Sequence, residues 1–330
     1  MDTTSRIFVA DHKSTIGAAI TRLLYKENYT NLLLPGENQL NLKNKTEVDE
    51  FFKVNKPEYV VMSEGRSAGI VENRRIPADF LYENLCTSLN ILHAAHVHGV
   101  SKTIFMGSSC MYPKHCTQPM NEDMLLTGKP EETSMGTAMA KLAGMQLCLS
   151  YNLQYGYTRF IPVIPNNTYG QNDNFNPATG HVLCVMIHRF HAAKVLGARV
   201  VELWGSGNAR REFIHTDDIA GACLILMNTK LEATDLPINI GVGEDYSIRE
   251  LSVIIADIVG YKGAVTWNTK MPEGTPRKLL DSTRIRSLGW SPAIKLEEGI
   301  QNTYRWYLEN INDTGAIKPI PQTGAIHESF

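Results

Sequence analysis

The feature that most narrows the fold is an alternation. Short apolar runs recur through the first half of the chain, and a stretch of helical periodicity follows each one. Ile7-Phe8-Val9-Ala10 precedes a helical pattern from Ile16 to Leu24, and Leu32-Leu33-Leu34 precedes one over Val48 to Phe52. Tyr59-Val60-Val61-Met62 leads into a long helix from Ala78 to Val97. Thr103-Ile104-Phe105-Met106 leads towards one from about Thr137 to Tyr155, and Arg159 to Ile164 closes the series. Unbroken apolar runs of this length are those of strands buried on both faces, and the helices between them act as crossovers. The pattern predicts an α/β fold, a doubly wound parallel sheet with right-handed connections.

After Ile164 the pattern is more mixed. Helical stretches at His181 to Leu196, Asp217 to Met227, Ser247 to Val259 and Leu296 to Leu308 surround a strand at Val200 to Trp204. We therefore expect residues 1–165 to form the sheet domain. Residues 166–312 should form a smaller mixed substrate lobe interleaved with the last elements of the sheet. Thr-Gly-Ala-Ile occurs twice after Asp313, amid Pro and Gly, and residues 313–330 read as a flexible tail.

Charge decides little about partners except by exclusion. The net charge of −2 over 330 residues, with no basic block, argues against nucleic acid or an anionic membrane surface. No apolar run approaches ~18 residues and the first residues are polar, so neither a membrane span nor a secretory signal is expected. The six cysteines, Cys86, Cys110, Cys116, Cys148, Cys184 and Cys223, have no C-x-x-C spacing. Free thiols in a cytoplasmic setting and no metal are the expectation, with Cys110 the one thiol placed for chemistry.

Its position follows from Phe105-Met106-Gly107-Ser108-Ser109-Cys110-Met111-Tyr112-Pro113-Lys114, an apolar strand that breaks at a glycine into hydroxyls, a thiol, a phenol and an amine. Ligands collect at such strand ends in doubly wound sheets. Patterns carrying Lys141, and then His181 and Arg189, follow in an order suited to converge there. Taken singly, Cys110 also reads as a small buried apolar side chain, and His181 as a helix cap after Gly180.

Several motifs together resemble the GDP-L-fucose synthase family of extended short-chain dehydrogenase/reductases. They are Ser108 to Lys114, Leu125 to Gly128, Asn167 to Gly170, Asp173-Asn174-Phe175, Trp204 to Gly207, Arg211-Glu212-Phe213 and Gly274 to Lys278. The resemblance implies a Rossmann-like domain with a C-terminal substrate lobe. It also implies epimerisation at C3 and C5 of a GDP-linked 4-keto sugar, followed by NADPH reduction at C4. By the same resemblance Cys110 and His181 form the acid–base pair, Ser108 steadies the enolate oxygen, and Lys141 adds positive charge. Asn167, Asn174 and Arg189 would contact sugar or diphosphate, and Trp204, Arg211 and Lys278 would hold the GDP end. The far end of the pocket would lie around Met111 and Tyr112. A homodimer through the helices at Leu85 to Val97 and Lys141 to Tyr155 is also implied.

The sequence departs from that family on the cofactor side. Thr137 stands four residues before Lys141, where reduction calls for a tyrosine, and a threonine hydroxyl is far less acidic than a phenol. In the turn Asp11-His12-Lys13-Ser14-Thr15-Ile16-Gly17, Asp11 and Ser14 replace the first two glycines and Gly17 alone remains. A carboxylate there repels a diphosphate; Lys13 keeps one favourable charge. Pro35-Gly36-Glu37 and Ser63-Glu64-Gly65-Arg66 replace further cofactor-facing segments. Hence NADP(H) should bind weakly or not at all. The expected activity is epimerisation of a GDP-linked keto-sugar at C3 and/or C5, with reduction weak, lost or passed to a separate reductase. The alternatives are the full NADPH-dependent epimerase-reductase and a sugar-nucleotide-binding pseudoenzyme.

Overall fold

The computed structural model describes residues 1–63, 65–271 and 273–310. Glu64 and the expected tail from Asp313 lie outside the described residues. The strands are β1 (Ile7–Ala10), β2 (Leu32–Leu33), β3 (Tyr59–Met62), β4 (Lys102–Met106), β5 (Phe160–Pro165), β6 (Asn167–Tyr169), β7 (Val200–Trp204), β8 (Arg210–Arg211), β9 (Phe213–His215), β10 (Ile238–Ile240), β11 (Tyr246–Ser247), β12 (Ala264–Asn268) and β13 (Arg277–Lys278). The α-helices are α1 (Thr15–Lys26), α2 (Lys45–Asn55), α3 (Ile70–Arg75), α4 (Pro77–Val97), α5 (Met135–Tyr155), α6 (Val182–Val195), α7 (Thr216–Asn228), α8 (Ile248–Val259), α9 (Thr283–Ser287) and α10 (Leu296–Asn310).

A six-stranded sheet in the order β10-β5-β4-β3-β1-β2 is parallel throughout. Successive side chains on a strand point to opposite faces, and the cores record this. Ile7, Val9, Ile104 and Val163 pack with the helix residues Ile20, Leu24 and Leu226 on one side. Phe8, Phe105 and Phe160 pack with Phe52, Leu92 and Met145 on the other. Burying side chains such as Phe52 and Leu92, both 0 % exposed, stabilises by roughly 1.5–3 kcal/mol each. The strand order reverses on either side of β1, and at this switch point ligands collect beyond the carboxyl ends of the strands.

β10, a strand the sequence pattern does not announce, pairs with β5 as the edge of this sheet. The smaller lobe packs α6, α8 and α10 into a third core with Tyr169, Val201, Leu203 and Phe213. Its short pairs are β7 with β12, β6 with β9, and β8 between β11 and β13.

The side chains expected at a dimer face divide differently. Ile91, Leu92, Leu142 and Met145 are buried in the sheet core, while Leu89 is exposed and Leu85, Leu147 and Leu149 are half-buried. Tyr82, Met139 and Leu153 are exposed on the same two helices. Helical periodicity cannot separate a face that packs on the sheet from one that packs elsewhere. No helix among the described residues is long and apolar enough to cross a membrane.

Candidate active site

β4 ends at Met106, and the chain turns through Ser109–Met111, a single 3-10 turn capped by Ser108. The Cys110 N–H donates to Ser108 Oγ at 3.3 Å, leaving the Ser108 hydroxyl proton free to donate elsewhere. Met111 and Tyr112 turn inward and are buried. The Tyr112 hydroxyl donates to Asn239 Oδ1 on β10 at 2.7 Å, and burial, then the Glu122 carboxylate, push its pKa well up. Neither residue lines the cleft, so the expected far end of the pocket is instead core.

A cavity of about 380 Å³ opens over this turn and gathers most of the expected residues. Ser108 and Cys110 form its floor, with Lys141 and Thr137 on the side of α5. Lys141 Nζ donates to Met106 O at 2.7 Å, bracing the strand end. Thr137 Oγ1 donates to Asn73 Oδ1 at 2.9 Å, which ties α5 to α3. His181 stands just before α6, and its side chain makes no capping bond; its Nε2 lies 3.1 Å from Ser67 Oγ. The helix-cap reading of His181 is thereby corrected: the ring faces the cleft. Asp173, half-buried on the cavity wall nearby, is pushed up by burial, against the pull of the His181 charge.

The opposite wall is cationic. Arg189 lies two turns into α6, its guanidinium 5.7 Å from the Trp204 ring centre and its Nη1 donating to Glu202 O at 3.1 Å. Arg211 on β8 and Lys278 on β13 stand in register on paired strands. Burial pulls the Arg211 pKa down to about 10 and the Lys278 pKa below its ordinary range. Lys278 also feels the charges of Cys110, Arg211 and Glu131, so it sits near the thiol as well as on the cationic wall. Asn167 completes this wall, its Nδ2 donating to Asn166 Oδ1 at 3.0 Å and Glu212 O at 2.9 Å.

One expectation needs correction. Asn174 does not line the cavity; its Oδ1 accepts from Asn176 N–H at 3.0 Å and its Nδ2 donates to Thr179 Oγ1 at 2.9 Å, shaping the loop before His181. Cys184 shares the cavity wall with Cys110, but burial and the Asp173 charge hold its thiol well above the usual range. Sequence reasoning missed Ser67, Asn73 and Glu131, all on the cavity wall. Ser67 and Glu131 lie on irregular segments and Asn73 on the six-residue α3, too short to show a period, although Glu131, ion-paired to Lys114 at 2.9 Å, answers a lysine in the recognised motif.

At the switch point the β1–α1 turn keeps its shape but not its donors. Asp11 holds φ +57°, a backbone geometry that favours glycine, and a Cβ on Gly17 would lie 2.2 Å from Asp11 O. Ser14 Oγ accepts the Gly17 N–H at 3.1 Å, and Ser63 Oγ donates to Ala10 O at 2.6 Å. Crowding by protein, then the Glu37 carboxylate, raise the Asp11 pKa. Asp11, Lys13, Ser14 and Gly17 all stay off the cavity wall, and Lys13 is exposed. The Asp11 carboxyl and the capping of the Gly17 N–H by Ser14 make this turn a poorer cradle for a dinucleotide diphosphate than three glycines would. Among the described residues no group of His, Cys, Asp or Glu could hold a metal ion.

Comparison with known proteins gives the same outline. Residues 7–241 match the model of the NAD dependent epimerase/dehydratase family. GDP-L-fucose synthase of Escherichia coli is 45% identical over 312 residues, covering 92% of this chain and 97% of that protein. A GDP-6-OMe-4-keto-L-xylo-heptose reductase from C. jejuni superposes with a TM-score of 0.88 at 36% identity, covering 94% of this chain and 99% of the other. A GDP-mannoheptose C4 reductase from Campylobacter jejuni, with NADP bound, superposes at 0.86 with 38% identity, over 93% and 99% of the two chains. By family model and by relatives over nearly its whole length, the chain belongs to the GDP-L-fucose synthase family of extended short-chain dehydrogenase/reductases.

Proposed function

We propose that the protein epimerises C3 and/or C5 of a GDP-linked 4-keto sugar through Cys110 and His181, with reduction at C4 weak or lost. The observation that carries this reading is an asymmetry within one cleft. Cys110, His181 and the cationic wall share the cavity, whereas the hydroxyl at position 137 is already spent on Asn73.

The protons next to a ketone are acidic enough for one member of a Cys–His pair to remove, provided the other returns a proton from the opposite face. Neither step changes the redox state of the sugar. The enolate oxygen formed between them needs a donor already in place, and the free hydroxyl proton of Ser108 is that donor. Arg189, Arg211 and Lys278 suit a diphosphate, because guanidinium forks pair with phosphate oxygens and an ammonium adds a point charge. Trp204 offers a face for a ring to stack on. Anchoring the nucleotide holds the ketone over Cys110, and proximity then carries a large share of the rate.

One observation favours a second reading, the full NADPH-dependent epimerase-reductase: the β1–α1 turn keeps a glycine-like backbone at Asp11. A single experiment separates the two. The protein is incubated with a GDP-4-keto sugar in heavy water, with and without NADPH, beside Cys110→Ser. Deuterium at C3 or C5 without NADPH, slowed about 100-fold or more in Cys110→Ser, supports the proposal. Absence of deuterium sinks it, and stoichiometric NADPH oxidation establishes the second reading. The exposed Tyr82, Leu89, Met139 and Leu153 on α4 and α5 further support a homodimer through these helices, testable by sedimentation.

A further inference from the structure

Residues 65–73 form a strap along the cleft. Gly65 to Val71 and Asn73 all line the cavity. Asn84 of α4 clamps the backbone of Arg66, accepting from its N–H at 2.8 Å and donating to its carbonyl at 3.0 Å. The Arg66 guanidinium lies 5.1 Å over the Phe80 ring and reaches Glu83 at 3.0 Å. Gly69 N–H donates to Thr179 O at 2.9 Å, and a Cβ on Gly69 would come within 2.8 Å of Gly180 O. Strap and α6 loop therefore meet backbone to backbone. At the far end Asn73 Nδ2 donates to Ala68 O at 2.6 Å and Gly69 O at 3.1 Å, while its Oδ1 accepts from Thr137.

Held in this way, the strap brings Ser67 Oγ to 3.1 Å from His181 Nε2. A hydroxyl both donates and accepts, so it follows an imidazole through both charge states. It donates to a bare Nε2 and accepts from the N–H of the imidazolium. Which nitrogen carries the proton in the neutral ring is set by the partner that the other one meets. The charged neighbour that His181 acts on is Asp173, in the loop before α6.

We propose that Ser67 is a positioning residue for His181. The strap holds its hydroxyl against Nε2 and so fixes the angle at which the ring meets substrate, with Asn73 and Thr137 as the strut that holds the strap. The position that the resemblance reserves for a proton-donating phenol is used here for support. The catalytic part of this role rests on the proton-exchange reading above; the grip on the ring does not.

Ser67 is exposed, so its replacement leaves the core untouched. The test compares wild type, Ser67→Ala and Ser67→Thr with 15N-labelled histidine, the His181 ring signals being assigned by their loss in His181→Gln. Deuterium uptake from heavy water into a GDP-4-keto sugar is measured on the same samples. In Ser67→Ala the His181 ring nitrogens should shift, and kcat for exchange should fall about tenfold with KM within twofold. Ser67→Thr, which keeps the hydroxyl, should recover most of both. Unchanged ring signals in a Ser67→Ala protein that melts like wild type overturn the proposal, and so does a shifted ring with unchanged kcat. A wild type that takes up no deuterium sinks the proton-exchange reading, and with it the catalytic part; the ring signals then still decide the grip.

Discussion

Glu212 tests how the cationic wall is built. The residue is 0 % exposed and lies between β8 and β9. Its carboxylate accepts hydrogen bonds from Gly243 N–H at 2.6 Å, Asn166 Nδ2 at 2.5 Å and Leu280 N–H at 2.9 Å. It thereby joins the chain after β5, the loop after β10 and the chain after β13. Arg211 precedes it in sequence and Lys278 O accepts from its N–H, so the residues that would hold the diphosphate hang from this hub. Glu212→Ala leaves those donors unmet. Each buried donor without a partner costs about 1–3 kcal/mol, and with partial relaxation the loss should be roughly 3–5 kcal/mol. At about 2 °C per kcal/mol for a chain of this size, the melting temperature should fall by roughly 6–10 °C. Glu212→Gln keeps the shape but turns one acceptor into a donor that faces donors, so it should fall between.

The pH dependence carries a sign. Burial raises the Glu212 pKa, partly offset by the N–H donors, so the folded state holds this proton more tightly than the unfolded one. The resulting cost is absent below the ordinary value of 4.5 and develops as pH rises through the raised one. Melts of wild type and Glu212→Gln across that window should therefore converge as pH rises, while GDP titrations report the wall. A Glu212→Ala protein that melts within 2 °C of wild type and binds GDP equally well would refute the reasoning.

Burial holds the Lys278 pKa below its ordinary 10.5, so the folded protein gains stability as pH climbs from that lowered value towards 10.5. A diphosphate against Lys278 favours the ammonium; GDP binding at alkaline pH should take up protons, seen by calorimetry in buffers of different ionisation enthalpy, and Lys278→Met should reduce the uptake, leaving the share of Arg211. A Cβ on Gly144 would lie 2.4 Å from Phe105 Cζ, so Gly144→Ala should cost about 1–3 kcal/mol by crowding α5 off β4, and an unchanged melting curve would count against that packing. Thr137→Val removes the donor to Asn73 and should cost about 1 kcal/mol in a thermal melt, with NADPH oxidation no lower than in wild type. Oxidation present in wild type and lost in that variant would assign Thr137 to reduction instead.

What the sequence determined by itself was the sheet and much of the cleft. Alternating apolar runs and helical stretches carry their own periods, so β1, β3, β4, β5 and the helices after them were legible without any long-range contact. Cys110 was legible as the end of an apolar strand, with His181 and Arg189 following in an order suited to converge on it, whereas Arg211 and Lys278, on a separate small sheet, were legible only through the family's motifs. Tertiary structure alone decided whatever depends on a partner distant in sequence. β10 becomes a sheet strand only beside β5, and Tyr112 becomes core only through Asn239. Asn174 stays off the cavity and Cys184 joins its wall, since a loop and a helix turn set which side chain reaches it. The Asp11 turn keeps a glycine-like backbone although its sequence has lost two glycines, because Gly17 and Ser63 pack beneath it. Thr137 turns from a missing phenol into a strut only when Asn73, 64 residues earlier, is brought beside it. Local periodicity records which face a residue takes; only the folded backbone brings hydrogen-bonding partners to within 3 Å of each other.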